Sequence, residues 1–241
     1  MLRNNELDIS LISFMEYAKH PHLYELIQGI GLSSKGYVDS VKLFSKVPIN
    51  DLNGHNIHTT NASATSVAVM EILLKENGIN DYICAPYEAT EGIPDKTAAL
   101  AIGDEALTEN TKHFSHVYDL GEMWNKLFSR NIVFATAAIR KDSIESKLPQ
   151  INLFVNELKN APKKSFADNG AFEEACKKQF PDIKDPMAYL NRLHFGMSQS
   201  EEKDIEFFLS KAFEHALLPK PVKPEFFIPA LELAGNGELN A

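Results

Sequence analysis

Three hydroxyl side chains fall within four positions at Ser63-Ala64-Thr65-Ser66. They follow a short β-rich stretch, residues 56–60, and precede apolar residues at helical spacing, Val67, Met70, Leu73 and Leu74. Ser and Thr at a helix start accept bonds from its first N–H groups, and the same N–H groups with the helix dipole attract anions. The run is therefore either an ordinary helix cap or an anion-binding corner. Gly103-Asp104 ends a second apolar stretch, Ala98 to Ile102. In a parallel sheet, two such strand ends share one mouth, where ligands bind.

Other chemistries find little support. The eight histidines include the spacings His55 to His58 and His113 to His116 and the pair His20-Pro21-His22, but no HExxH, so no metal site is expected. Neither GxSxG nor GxxxxGK[ST] occurs, which argues against a serine hydrolase elbow and a nucleotide-phosphate loop. Cys84 and Cys176 form no CxxC and are expected as reduced thiols. With 24 Lys+Arg against 33 Asp+Glu, a net charge of −9, the chain lacks the basic excess of a general nucleic-acid binder. No apolar run approaches the ~20 residues of a membrane span. Met1-Leu2-Arg3-Asn4-Asn5-Glu6 has no secretory h-region, so a cytoplasmic location is expected.

The elements that must position these residues follow from periodicity. Leu7 to Ser13 reads as a buried strand. Leu26 to Ile30 and Val38 to Ser45 read as strands around a turn at Ser33-Ser34-Lys35-Gly36. Val47-Pro48 through Asn53-Gly54 breaks the pattern, and a lobe boundary is placed there. Next come a strand at 56–60, a helix closed by Asn77-Gly78, a strand at 98–102, a helix at 121–128 with Trp124, Leu127 and Phe128 on one face, and a strand at 132–139. This alternation predicts an α/β protein with a largely parallel sheet. Beyond Lys141 only helices are expected, at 150–160, 170–179, 185–193 and 199–217. Asp185-Pro186 and Ser198 with Glu201 supply start signals, and Ile205, Phe208, Leu209, Ala212, Phe213 and Leu217 form a buried stripe. The tail from Pro219 to Pro229, with four prolines, is expected to form no element.

Glu6-Leu7-Asp8-Ile9-Ser10, Ser13-Phe14-Met15-Glu16-Tyr17-Ala18, Gly36-Tyr37-Val38-Asp39-Ser40-Val41 and Leu43-Phe44-Ser45 resemble the first lobe of the chorismate dehydratases of the futalosine route to menaquinone. Ser63-Ala64-Thr65-Ser66, Ala99 to Leu107 (ALAIGDEAL), Asp119-Leu120-Gly121-Glu122-Met123-Trp124 and Val133-Phe134-Ala135 are similar to that family's SxTS, LxIGDxAL, DLGxxW and VFA motifs. Tyr189-Leu190 with Glu202 to Phe208 resembles its C-terminal end.

The resemblance implies a two-lobe fold of the periplasmic-binding-protein type II class, with lobes joined by two crossing strands and C-terminal helices on lobe one. Lobe one would hold residues 1–46 and 134–241, lobe two 47–133, with hinges at Phe44 to Val47 and Ile132 to Thr136. It further implies loss of water from chorismate to give 3-[(1-carboxyvinyl)oxy]benzoate, without metal or organic cofactor. Ser63 or Ser66 would stand closest to the chemistry. Ser63, Ala64, Thr65 and Ser66 would bind substrate, with Ser13 and the Gly36 turn closing the site from lobe one. Gly103 and Asp104 would face it, Asp104 orienting the loop or polarising water unless it only caps the strand end. Arg140 is the nearest basic candidate, unless it is a surface residue. The family normally begins with a strand and an Asn-bearing YLN loop ahead of the point where this chain starts. The expectation is thus a shortened member, marginally stable, prone to aggregate or dimerise through the gap, and converting chorismate poorly or not at all. The alternative is a non-catalytic binder of small carboxylates with the same fold. The oligomeric state is not predicted.

Overall fold

The computed structural model describes residues 1–61, 63–87, 93, 95–109, 111–165 and 169–230; Ala62, in the expected turn before the first long helix, lies outside them. Two sheets organise the molecule. The chain enters the first with β1 (Ile9–Ser13), turns through a short helix α1 (Phe14–Lys19) and returns along the long β2 (Tyr24–Ser34). It crosses to the second sheet for β3 (Val41–Ser45), β4 (His55–Thr60), α2 (Ala64–Glu76), β5 (Tyr82–Tyr87), β6 (Ala98–Ile102), α3 (Asp104–Thr108), β7 (His116–Asp119) and α4 (Leu120–Phe128). It then crosses back as β8 (Ile132–Arg140). The rest is helical cover, α5 (Lys141–Ser165), α6 (Asn169–Gln179), α7 (Pro186–Leu190) and α8 (Gln199–Glu214), interrupted by β9 (Leu193–Phe195) and ended by β10 (Phe226–Phe227).

The first sheet has the order β1-β8-β2-β10, with β9 also on β2, and only the β2–β10 pair is parallel. The second has the order β5-β4-β6-β3-β7. There β4 runs parallel to β5 and β6, while β3 is antiparallel to β6 and β7. The expected largely parallel sheet is thus corrected to two mixed sheets. Parallel pairing holds where a strand-turn-helix unit links neighbours. The crossing strands enter each sheet antiparallel.

Strand alternation sorts the apolar residues by face. Leu43 and Ile57 of the second sheet, Tyr24, Leu26 and Ala138 of the first, and Phe14, Trp124 and Phe208 from the helices form one core spanning both sheets. Phe44, Tyr87 and Phe114 form a smaller core on the far side of the second sheet. Ile27, Ala137 and Ile139 meet Ile151 and Val155 of α5 on the far side of the first.

Several expectations change for identifiable reasons. The strand at Leu7 to Ser13 is not buried: β1 pairs on one side, with β8, and Leu11 is 60% exposed. Leu127 and Phe213 point outward from α4 and α8. Strands do not stop at Lys141, because β9 and β10 add to β2, and Phe226 and Phe227 of the proline-rich tail pair in parallel with Leu26 and Ile27. Helix α5 begins well before residue 150, with non-helical angles at Lys147. Pro149 causes that kink, since it lacks an N–H and crowds the preceding turn. The segment that sequence reading found is the part after the proline.

Candidate functional site: a shared helix cap

Ser63 caps α2: its Oγ accepts from the Ser66 amide at 3.3 Å and from Ser66 Oγ at 3.1 Å. Thr65, one residue into the helix and fully buried, does something the sequence did not suggest. Its Oγ1 accepts from the Met15 amide in the first turn of α1 at 3.1 Å. Ser13, at the start of α1, makes no cap for its own helix; its Oγ accepts from the Thr65 amide of α2 at 2.9 Å. The two hydroxyls also bond each other at 2.8 Å. Each helix is thus capped by the other's side chain, and two N-termini from different sheets meet at one point. The expectation of free amides on α2 is corrected at Thr65 and Ser66, whose N–H groups are taken by Ser13 and Ser63.

This network is neutral, and its protons can be followed. Ser63 Oγ accepts two bonds, which polarises its own O–H as a donor. Of the Ser13 and Thr65 hydroxyl protons, one bridges the pair and the other is left for a further acceptor. Along the side of α2, from Ala64 past Val67 and Ala68 to Glu71, lies a cavity of about 270 Å³ that Thr60, Asn61 and Lys19 also line; of the expected site residues Ala64 alone is in its lining. Lys19 is the cation there. Arg140 is neither near this point nor on the surface: it is buried, donates to the carbonyls of Leu2 and Arg3 at 3.1 and 3.2 Å, and pairs with Asp142. Its charge is spent on fixing the start of the chain.

The remaining predicted residues gather around a second segment, Gly36 to Ser40. Gly36 has a φ of +81°, and its carbonyl oxygen would lie 2.3 Å from a Cβ placed on Gly121. Glycine at 121 therefore lets the turn sit on the N-terminus of α4. Asp119 caps α4 through the Glu122 amide at 2.9 Å and also holds the Val38 and Asp39 amides at 3.0 and 2.7 Å. Burial keeps this carboxyl above its ordinary value although those amides oppose the shift. Gly103, with φ of +66°, donates its N–H to the Ser40 carbonyl at 2.8 Å. Asp104 is exposed at the start of α3. Its charge bears on the Tyr189 phenol, which burial raises most and which bonds to Ser40. The parallel register of β4 with β6, Ile57 to Ala98 through Thr59 to Leu100, brings the strand ends before Ser63 and Gly103 to the same end of the sheet.

The structure therefore pairs Ser13 with Thr65 and Ser63 with Ser66 at neighbouring helix starts; it bonds Gly103 to Ser40 and packs Gly36 against Gly121 instead. Lys19, Asn61 and Glu71 were missed, since nothing in their spacing marks them. Cys84 and Cys176 are free thiols; burial and the nearby Glu71 carboxylate push Cys84 up to about 12, which favours its thiol over its thiolate form. Among the described residues no helix is long and apolar enough to cross a membrane.

Residues 1–214 match the menaquinone biosynthesis family. The chain belongs to that family. Among curated relatives, the chorismate dehydratase of Thermus thermophilus is 31% identical over 163 residues, which is 59% of this chain and 58% of that protein. The match thus spans less than two thirds of the relative's length. Solved structures agree on the fold. The protein AF1704 from Archaeoglobus fulgidus superposes with a TM-score of 0.67 at 19% identity, covering 90% of this chain and 82% of its own. The periplasmic aliphatic sulphonate binding protein SsuA from Escherichia coli gives 0.61 at 13% identity, covering 95% and 78%. The fold is the periplasmic-binding-protein-like one that the motifs implied.

Proposed function

We propose that this protein is a cytoplasmic hydro-lyase that removes water from chorismate to give 3-[(1-carboxyvinyl)oxy]benzoate in the futalosine route to menaquinone. The observation that carries the reading is the family match over residues 1–214, and the dehydratase relative supports it. In this reading the two sheets are two lobes, 1–46 with 134–241 and 47–133, that close on one small molecule. In the reaction one ring C–H bond breaks and gives up a proton. One ring C–O bond breaks and releases hydroxide, the electron pair completes the aromatic ring, and proton and hydroxide leave as water. Aromatisation supplies the driving force. The protein's task is to hold two carboxylates and hand a proton to the leaving oxygen in a dry cleft.

Ser63 suits that proton transfer, since its oxygen accepts two bonds and its own O–H remains to donate. Ser66 fixes Ser63, and Ser13 with Thr65 offers one further donor. Lys19 pairs with one substrate carboxylate beside Ala64, while the Gly36 turn, Gly103 and Asp104 close the other side. The test is incubation of the 241-residue chain with chorismate, following the aromatic product by chromatography and absorbance. Ser63→Ala should weaken substrate or transition-state binding by ~1 to 3 kcal/mol, the effect of removing one donor from a desolvated charged partner. Chorismate bound but left unchanged would make the protein a carboxylate binder and overturn the proposal, as would full activity in Ser63→Ala for the assignment of the site.

A further inference from the structure

The turn between β2 and β3 carries the chain from the first sheet to the second, and Asp39 within it takes a φ of +68°. A residue with a side chain keeps that conformation only where its surroundings impose it. Here three donors converge on its carboxylate. Tyr37 Oη donates at 2.9 Å, Lys42 Nζ stands at 2.6 Å, and Arg192 Nη1 donates at 2.6 Å. The Arg192 guanidinium also lies 5.5 Å from the centre of the Tyr37 ring, a cation–π contact. Tyr37 and Lys42 are neighbours in sequence, whereas Arg192 comes from the link between α7 and β9. Because β9 pairs with β2 at Leu32, Ser33 and Ser34, the first sheet fixes where Arg192 stands. Two routes then lead from Asp39 to the start of α3. Ser40, the next residue, accepts from the Gly103 amide at 2.8 Å. Lys42, which shares the Asp39 carboxylate, donates to the Ala106 carbonyl at 3.1 Å.

We propose that Arg192 is a positioning residue for the candidate site: from the first sheet it holds the Asp39 turn and, through Ser40 and Lys42, keeps the Gly103–Asp104 corner in place for the ligand. The inference rests on the functional reading that puts this corner at the substrate. The second sheet grips the same turn through the Asp119 carboxylate, which accepts from the Val38 and Asp39 amides. Arg192, together with the Tyr189 phenol on Ser40, ties it to the C-terminal segment on the first. A turn held from both sheets has its corner ordered before the ligand arrives, so the ligand need not supply that ordering. The Arg192 side chain is 40% exposed, which makes its removal tolerable to the fold and its effect modest.

Arg192→Met and Asp39→Asn, singly and together, test this. Arg192→Lys serves as the conservative variant, and Lys177→Met, which breaks the exposed pair of Lys177 with Glu173 on α6, as the control. Asparagine tolerates the backbone at position 39, so melting curves should stay close to that of the native chain. On the ligand-free chain, hydrogen exchange at the Gly103 amide should quicken about two- to fivefold in Arg192→Met, the range of a partly exposed ion pair. The double variant should add little to either single one. Where the native chain converts chorismate, KM should rise by a similar factor with kcat nearly unchanged, the mark of lost binding and not of lost chemistry. Arg192→Lys should restore most of it, and Lys177→Met should change neither readout. A native chain that leaves chorismate unchanged sinks the dehydratase reading and not this one, since the exchange measurement needs no substrate. Unchanged Gly103 exchange in Arg192→Met, additive effects in the double variant, or an unaltered KM in Arg192→Met while the native chain turns over would each overturn the proposal.

Discussion

Helix α2 belongs to the second sheet, yet both of its ends are tied to elements that lie against the first, and by opposite physics. Its N-terminus is joined to α1 by buried, neutral hydroxyls and amides, Ser13 with Thr65 and Met15. Its C-terminus is joined to α8 by charge. Glu76 Oε1 accepts from Lys211 Nζ and from His215 Nε2, each at 2.9 Å, and Lys75 Nζ donates to the His215 carbonyl at 2.9 Å. Between the ends, Ala68, Val69, Met70, Ile72, Leu73 and Leu74 are all buried. A helix apolar on nearly every side is held by packing along its length, so its polar bonds act at the two tips. Breaking a bond at the dry tip strands a desolvated donor. Breaking one at the wet tip returns its partners to water.

The largest effect is therefore expected from Thr65→Val, which keeps shape and removes only the hydroxyl. The buried Met15 amide loses its acceptor and Ser13 loses its partner. Leaving such groups unpaired costs ~1 to 3 kcal/mol each, so a loss near 2 kcal/mol, or a fall in Tm of about 4–8 °C for a chain of this size, should appear in urea and thermal unfolding. Ser13→Ala should come next, at about 1–2 kcal/mol. The double variant should lose less than the sum, because the two side chains share one network. Additive losses would mean that the cross-cap is not a unit.

This joint was half legible in the sequence. Ser63 could be read as a cap because capping is local: a hydroxyl, a helix start and a spacing of three residues suffice. The Gly78 stop, the Asp185-Pro186 start and the Ser198–Glu201 pair were legible for the same reason, and Glu201 does accept from the Ser198 amide at 2.8 Å. Ser13 and Thr65 are fifty-two positions apart; Ser13 reads locally as the end of a strand and Thr65 as part of a cap on its own helix. Only the tertiary fold exchanges them. The missed strands share that cause. β5 is an edge strand, β7 has four residues and β10 has two, and pairing partners from elsewhere in the chain make them strands where their own residues give no alternation. The site split likewise. The Ser63 run stood out by composition, whereas Lys19 and Glu71 reach its flank through the packing of α1 on α2.

At the charged tip, Lys211→Met removes the ammonium, which also stands 5.4 Å from the centre of the Phe128 ring. Lys211 also pairs with Glu214 at 3.0 Å, so one side chain serves two carboxylates. Partly exposed pairs of this kind contribute ~0.2 to 1 kcal/mol. The expected drop is within that range in low salt and shrinks in 0.5 M salt, where the Debye length falls to about 4 Å. The Thr65→Val drop should not respond to salt. A salt-insensitive loss in Lys211→Met would show that the ammonium's contact with the Phe128 ring, and not its pairing with the two carboxylates, carries the contribution.

The smallest effect separates the two tips by pH. The bonds from His215 and then Lys211 hold the Glu76 carboxyl below its ordinary value of 4.5. A carboxyl with a lowered folded pKa stabilises the fold above its unfolded pKa, and that contribution fades as the pH falls through the folded value, because the folded state must then take up the proton as well. The stability difference between the native chain and Glu76→Gln should therefore shrink as the pH drops below about 4.5, the unfolded range of a glutamate. At the other tip no participating group titrates between pH 4 and 8, so the penalty of Thr65→Val should stay level over the same series. Urea midpoints of the three proteins at matched ionic strength measure both trends. If the Glu76→Gln difference persisted undiminished well below pH 4, packing or a neutral hydrogen bond would hold the wet tip, and the contrast between the two ends of α2 would be one of burial alone.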